Sequence, residues 1–393
     1  MAQKQENHCE INWYASFERL MVIATIGILL PFYIGSPILI GVLMTLLIRD
    51  RAHLGEHFYA IRGLSLFFAF GAIVSLVNRN FIGVGVMVAL TAFSLFFVIY
   101  RRYVQPTLWL KLLKICLIGG LFTQGFALRN YWKFIQEHHY FWLYILKDSS
   151  PNFRAESTFF NANYFGLFCI FCTLIAIYFL LSKTSLAWKL ISVFCLLLTL
   201  IAIVLTASRM LLPTLFISSV WLIYFMHKKL GLYVLGLIGL ATALLVLNPH
   251  VIPRFQSLQY GFKDRFWLWE TGWKIFTTSP LTGRGAMSYV RYYYLFDGKP
   301  QMHAHQILID SLANYGLVGL MLLSVATADF WRWLASGVRV GELRKGLGLV
   351  TAFILAVVIH GMMDVSVFWV QTGYIFLLVA LTPERVLRSV ENS

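Results

Sequence analysis

Acidic residues are scarce in this chain: 17 Asp and Glu stand against 32 Lys and Arg in 393 residues, and all charged residues together make up 12%. Soluble globular domains carry about 25% charged residues, so a water-covered globule is excluded. Cysteine is also sparse. The five present (Cys9, Cys116, Cys169, Cys172, Cys195) fall mainly within apolar runs, which excludes a disulfide framework and marks the C-x-x-C of Cys169 and Cys172 as inert packing. No H-E-x-x-H occurs, so a zinc hydrolase would have to recruit a third ligand from afar. The polar start MAQKQENHCEINWYASFER enters an apolar run without a small-residue cleavage site, so no cleaved signal peptide is expected.

What is abundant is apolar sequence. Hydrophobic residues are 59% of the chain and its mean hydropathy is +0.73, with runs of about twenty residues, the length that crosses a bilayer as a helix. The fold class expected is all-α: one integral membrane domain over residues 1–393 with about twelve transmembrane helices, near 17–33, 34–49, 60–77, 81–100, 109–129, 161–182, 187–205, 207–226, 230–247, 305–331, 346–363 and 365–383. Pro31 and Gly35 split the first apolar stretch into a hairpin. The net charge of +15 fits basic loops that orient a membrane protein, and no nucleic-acid partner is implied.

Lys and Arg gather in alternate short loops: Arg49, Arg51 and Arg62; Arg101, Arg102, Lys111 and Lys114; Lys183 and Lys189; Lys228 and Lys229; Arg332, Arg339, Arg344 and Lys345. The turns between them, Asn78–Asn80 and Thr206–Ser208, are nearly free of both. The positive-inside rule then puts both termini in the cytoplasm and two long loops, 130–160 and 248–304, outside. In the first loop Trp132, Ile135, Trp142 and Ile145 are spaced as on a helix lying in the interface. His138 and His139 on it are either solvated or ligands. Asn161 and Asn163 at the next helix start serve equally as caps or ligands, whereas Arg154 beside them is a candidate for substrate binding. Arg209, in IVLTASRML at the outer end of an apolar helix, is a charge too close to hydrocarbon to be idle.

The second loop is the longest run that cannot sit in lipid. Between Arg254 and Lys299 it holds Arg254, Lys263, Arg265, Lys274, Arg284, Arg291 and Lys299 against Asp264, Glu270 and Asp297. Fixed cations at a membrane surface suit a lipid-linked phosphate, because Arg presents paired donors to phosphate oxygens. Asp264 is expected to cap a short interfacial helix with Phe266, Trp269, Trp273 and Phe276 along one stripe. The turn LTGRGAM would hold Arg284, and YVRYYYLF sets Arg291 among tyrosines that either anchor at the interface or carry sugar rings. His303 and His305 stand where the next apolar run begins; two apart, they cannot share a helix face, but a loop can orient both. Asp310 and Asn314 lie one helical turn apart, Gly316 and Gly319 permit close helix contact, and His360 and Asp364 stand i,i+4 in or beside lipid. Asp364 is also placed to orient one of the loop histidines.

These residues resemble a known pattern. His305, Gln306, nine residues from Ile307 to Tyr315, then Gly316 and Gly319 follow the His, polar residue, nine-residue, G-x-x-G spacing of the O-antigen ligase and polymerase superfamily. TASR is similar to the arginine turn of that family and PLTGRG to its P-L-x-G-x-G turn. The likeness covers roughly residues 154–375, with Gln306 where most members carry Asn and Asn314 where many carry Glu. It implies a GT-C-like fold with a large outer loop, containing short interfacial helices, over a cavity. The implied donor is a glycan on undecaprenyl diphosphate and the implied acceptor a sugar hydroxyl, free or lipid-anchored. It implies catalytic roles for His305, Arg209 and Arg265.

Such a reaction displaces a lipid diphosphate at an anomeric carbon. It needs a base for the acceptor hydroxyl and positive charge on the leaving group. The outer loops contain no D-x-D, so arginines rather than a metal would supply that charge; no cofactor and no metal are expected. Arg209 and Arg265, helped by Arg154, Arg284 and Arg291, would bind diphosphate, and His305 would take the proton, with His303, Gln306 and Asp364 beside it. No acid is placed as a covalent nucleophile, so inversion is expected. The alternatives are a polymerase that uses the same units, a protein-glycosylating relative, and a non-enzymatic flippase or exporter. The expected location is a bacterial inner membrane, with lipopolysaccharide assembly as the setting.

Overall fold

A computed structural model of the chain describes residues 2–147, 152–247, 258–341 and 343–391. Arg254, with the rest of 248–257, lies outside them. Every regular element among the described residues is a helix: α1 (Ala2–Ile28), α2 (Phe32–Arg49), α3 (Leu54–Ala60), α4 (Arg62–Val77), α5 (Phe81–Tyr103), α6 (Pro106–Glu137), α7 (Tyr144–Lys147), α8 (Ala162–Leu181) and α9 (Leu186–Leu205). The chain continues as α10 (Leu211–Met226), α11 (Lys228–Leu247), α12 (Leu258–Thr277), α13 (Ser288–Tyr292), α14 (Ile307–Val340), α15 (Arg344–Gly361), α16 (Val370–Ala380) and α17 (Glu384–Glu391).

Each apolar run is helical, but length and hydropathy separate them. Among the described residues seven helices are long and apolar enough to cross a membrane, or eight if α4 and the bent segment before it form one span; α10 and α16 are apolar but shorter. The protein is an all-helical, multi-pass membrane protein. Seven or eight spans, rather than twelve, meet that test.

Helix α8 is apolar on every face, which suits a helix enclosed by others. It is 83% buried, against 33% for α5 and α9, and packs on α6, α9, α10, α15 and α16. Outward faces carry large apolar side chains such as Ile40, Phe81, Leu190 and Leu197, the pattern of a surface solvated by lipid tails. The basic turns meet at one end of the bundle: Arg385 donates to the carbonyls of Arg101, Arg102 and Val104, and Lys111 pairs with Glu18.

The opposite end is built from loops under strain. All eight non-glycine residues with positive φ among the described residues lie there: Arg79, His139, Ser157, Phe160, Ala207, Met287, Asp297 and His305. Two local expectations fail at this end. Trp132 and Ile135 belong to the last turns of α6, which runs unbroken to Glu137, and only the four-residue α7 follows. Asp264 lies inside α12 and pairs with Lys299 instead of capping the helix. The α12 stripe is divided as well, since Phe266 and Trp273 are exposed while Leu268, Ile275 and Phe276 are buried.

Helix α14 is broken at Gly316, whose φ of 60° and ψ of −171° are not helical. Breaking a helix strands the carbonyls before the break and the N–H groups after it, which need new partners. The turn after α12 supplies all four. Arg284 and Gly285 donate N–H to the carbonyls of Ala313 and Asn314 at 2.9 and 2.8 Å, and Leu317 and Val318 donate to the carbonyls of Pro280 and Leu281, both at 2.9 Å. The backbones are so close that a Cβ on Gly316 would sit 2.5 Å from Gly283 N, and one on Gly283 2.5 Å from the Asn314 carbonyl. Gly316 is therefore a break point and not a helix-contact glycine, while Gly319 does face Phe70 of α4.

Candidate functional site

The histidine loop runs from Pro300 to Gln306 and ends where Gln306, in extended conformation, caps α14 with its Oε1 on Ile309 N at 2.6 Å. Asp310, one turn into the helix, accepts from Ala304 N at 2.9 Å and from Asn314 Nδ2 at 2.9 Å. Asn314 in turn accepts from Ser288 N and Oγ. The loop is thus held from below by two polar residues of the helix that it precedes. His305 takes a left-handed backbone, φ 56°, a strain that commonly marks functional positions. Trp269 of α12 donates its indole N–H to the His305 carbonyl at 3.3 Å.

The imidazoles of His303 and His305 meet with centroids 4.2 Å apart, tilted by 65°. Both face Asp364, which follows α15 and is 2% exposed. Its Oδ2 lies 3.1 Å from His305 Nδ1 and 3.9 Å from Arg265 Nη2, and it accepts from Asn163 Nδ2. Its Oδ1 accepts from Val365 N at 2.7 Å and faces His303 Nε2 at 3.8 Å. Burial works against the Asp364 charge, but the hydrogen bond with His305 and the surrounding imidazoles outweigh it and hold the carboxyl well below the usual carboxylate range. The His305 ring is therefore gripped at Nδ1, while Nε2 faces the Gln301 side-chain amide at 3.4 Å.

His303 is different in character. Burial pushes its imidazole down to about 4, against the pull of Asp364, so it is neutral at physiological pH. Its Nδ1 accepts from His305 N at 3.3 Å, which leaves the proton on Nε2, 3.2 Å from the Tyr164 hydroxyl. Burial also lowers the guanidinium of Arg265, opposed by Asp364 and Asp264. Among the described residues Arg265 Nη1 is buried without a hydrogen-bond partner, a costly condition that a bound anion would relieve.

The other candidates divide. Arg154 donates Nε to the Thr206 carbonyl at 2.9 Å and Nη2 to Asn163 Oδ1 at 3.0 Å, so the turn that carries Arg209 is linked to the Asp364 carboxylate through one arginine and one asparagine. Arg209 is half-buried and its guanidinium is lowered by that burial. Arg284 instead bonds Thr278 Oγ1 at 3.0 Å and Asn78 Oδ1 at 3.1 Å, fastening the glycine turn to the α4–α5 turn. Arg291 is exposed beside Tyr292. His360 contributes no side-chain hydrogen bond to Asp364, and its Nδ1 is buried without a partner among the described residues.

Asn163 and Tyr164 were not separable by sequence from capping and packing residues. Asn161 is the cap, its Oδ1 accepting from Asn163 N at 2.8 Å, which frees Asn163 to bridge Arg154 and Asp364. His303, His305 and Asp364 each offer a donor atom within 4.8 Å of the others, a set whose composition suits a transition metal. Arg265 shares that carboxylate, and its positive charge opposes a second cation there. The site therefore combines an oriented imidazole, a buried carboxylate and a buried guanidinium.

No curated protein matches this chain. Residues 194–324 match the family model for O-antigen ligase. That segment runs from α9 through Arg209, the glycine turn and His305 to just past Gly319, so about a third of the chain is similar to the O-antigen ligase family.

Proposed function

We propose that this protein transfers a glycan from undecaprenyl diphosphate to a sugar hydroxyl of a lipid-anchored acceptor, on the outer face of a bacterial inner membrane, as a metal-independent inverting glycosyltransferase of the O-antigen ligase type. The observation that carries this reading is the sharing of Asp364 by His305 and Arg265. Asp364 fixes Nδ1 of His305, so Nε2 is the nitrogen that receives the acceptor proton. The acceptor oxygen attacks the anomeric carbon as the bond from that carbon to the diphosphate oxygen breaks. The imidazolium that forms is stabilised by Asp364, as a buried carboxylate stabilises the charged histidine of a hydrolase triad.

Negative charge gathers on the departing diphosphate. Arg265, whose Nη1 has no hydrogen-bond partner among the described residues, and Arg209 meet it there, Arg154 holding the turn of Arg209 in place. Preorganised cations of this kind act on the transition state without reorganising. A single displacement inverts the anomeric centre. A polymerase would run the same steps with a growing glycan as acceptor. A flippase would want the cations but not the oriented imidazole.

The test is transfer by the purified protein in liposomes, with a glycan on undecaprenyl diphosphate as donor and rough lipopolysaccharide as acceptor. Elongated lipopolysaccharide and released undecaprenyl diphosphate are expected in equal amounts, with an inverted linkage by NMR and undiminished rate in EDTA. Full inhibition by EDTA restored by magnesium or manganese would overturn the arginine mechanism, and translocation without transfer would favour the flippase.

A further inference from the structure

Five aromatic rings form a continuous path from the protein surface to the histidine pair. Tyr33 and Phe32 open α2 and pack on Phe160, with centroids 5.8 and 5.4 Å away. Phe32 also meets Trp369 at 5.1 Å, and Trp369 stacks on Tyr164 at 5.2 Å and 26°. Tyr164 then holds His303 by its hydroxyl. The outer members are open: Tyr33 is 60%, Phe160 50% and Phe32 39% exposed.

The path is rigid. Trp369 donates its indole N–H to Gln371 Oε1 at 2.7 Å, and Gln371 Nε2 donates to the carbonyls of Ile28 and Leu30, both at 2.9 Å. One glutamine thus locks the tryptophan to the α1–α2 turn that presents Phe32. Phe160 sits in the left-handed region at φ 58°, where a bulky side chain is strained, yet half of it is exposed. Little burial compensates that strain, and such outliers tend to be kept for function.

We infer that this aromatic path is a carbohydrate subsite, on which the apolar C–H faces of the acceptor's sugar rings stack as the reacting hydroxyl reaches the histidines. The inference rests on the transfer reaction proposed above and adds where the acceptor lies. The aromatic path ends on His303, which faces Oδ1 of Asp364 and lies against the His305 ring, while His305, Arg265 and Asn163 all face Oδ2. On this reading the diphosphate lies at Arg265 and the incoming sugar on the aromatic path that leads to the histidine pair. The rings also lie at helix starts, beside backbone carbonyls and Gln371. An isoprenoid chain would instead run along the apolar middle of a span.

The test measures binding of rough lipopolysaccharide and of undecaprenyl diphosphate separately, by thermophoresis of the purified full-length protein, with transfer followed in parallel. Trp369→Ala and Phe160→Ala are expected to weaken lipopolysaccharide binding by about tenfold or more and to leave undecaprenyl diphosphate binding within about twofold. Trp369→Phe, which keeps the ring and loses the bond to Gln371, should fall between. Phe160 and Tyr33 are exposed enough that their alanine variants fold even where Trp369→Ala does not. Loss of undecaprenyl diphosphate binding instead, unchanged binding of both, or no binding of lipopolysaccharide to the wild type would each overturn the subsite. Binding that follows the aromatic path in a protein that transfers nothing would leave the subsite standing and remove the proposed reaction.

Discussion

Nδ1 of His305 lies 3.1 Å from Oδ2 of Asp364, a residue 59 positions further along the chain. The contact joins the loop that caps the site to the end of α15, and it selects which ring nitrogen is available to a substrate. Asp364→Asn removes the charge and offers either an amide oxygen or an amide nitrogen to the ring. Transfer is expected to fall by on the order of a hundredfold or more, the scale of a disabled base, while binding of undecaprenyl diphosphate changes far less. A loss confined to donor binding would make Asp364 a mere counter-ion for Arg265.

The glycine turn and the break in α14 stand or fall together. Gly316→Ala places a Cβ 2.5 Å from the backbone of Leu281 and Gly283 at a positive φ, which the backbone alone resists by about 1–3 kcal/mol. The expected outcome is faster limited proteolysis between Thr278 and Gln306 and loss of transfer. Gly319→Ala, whose Cβ would meet movable side chains of Tyr315 and Phe70, should be much milder. Equal behaviour of the two variants would show that the four hydrogen bonds across the break are dispensable.

Much of this arrangement was legible in sequence because hydropathy and spacing report local structure. The apolar runs are helices, and Asp364 lies beside one of the loop histidines, His305. What stayed hidden depends on backbone dihedrals and distant partners. Gly316 has the spacing of a packing glycine, and only its φ reveals a break. Asn163 has the composition of a cap, and the cap is Asn161, two residues earlier. The spacing of Trp132 and Ile135 with Trp142 and Ile145 predicts a separate interfacial helix, yet backbone hydrogen bonding carries α6 through the first two. The charge of Arg284 is visible in sequence, whereas its partners, Thr278 and Asn78, are not.

The depressed His303 gives a pH signature. An unfolded histidine titrates near 6.5, whereas burial holds His303 near 4. Above 6.5 both forms are neutral. As pH falls from 6.5 towards 4, only the unfolded chain takes up the proton, so stability is lost through that window, by on the order of 3 kcal/mol for this one group, and no further below it. His303→Gln should lessen the fall in melting midpoint between pH 7 and 4.5. An unchanged fall would mean that His303 takes its proton in the folded protein.

Orientation in the membrane has its own check. With the basic turns in the cytoplasm, a cysteine at Thr277 should be labelled from outside in intact spheroplasts, and one at Ser336 only after permeabilisation. Both positions are exposed. The reverse pattern would put the site in the compartment where the proposed acceptor is absent.

The central claim, that His305 is the base while Arg209 serves the diphosphate, is tested most directly by single-turnover transfer and donor binding in the same variants. His305→Ala is expected to lose on the order of a hundred- to ten-thousand-fold in transfer and to bind donor nearly as the wild type does. Arg209→Ala should lose both, because its charge acts on ground and transition state alike, and Arg209→Lys should recover only part. His303→Ala should lose less transfer than His305→Ala. Near-normal transfer by His305→Ala alongside a dead His303→Ala would contradict the account.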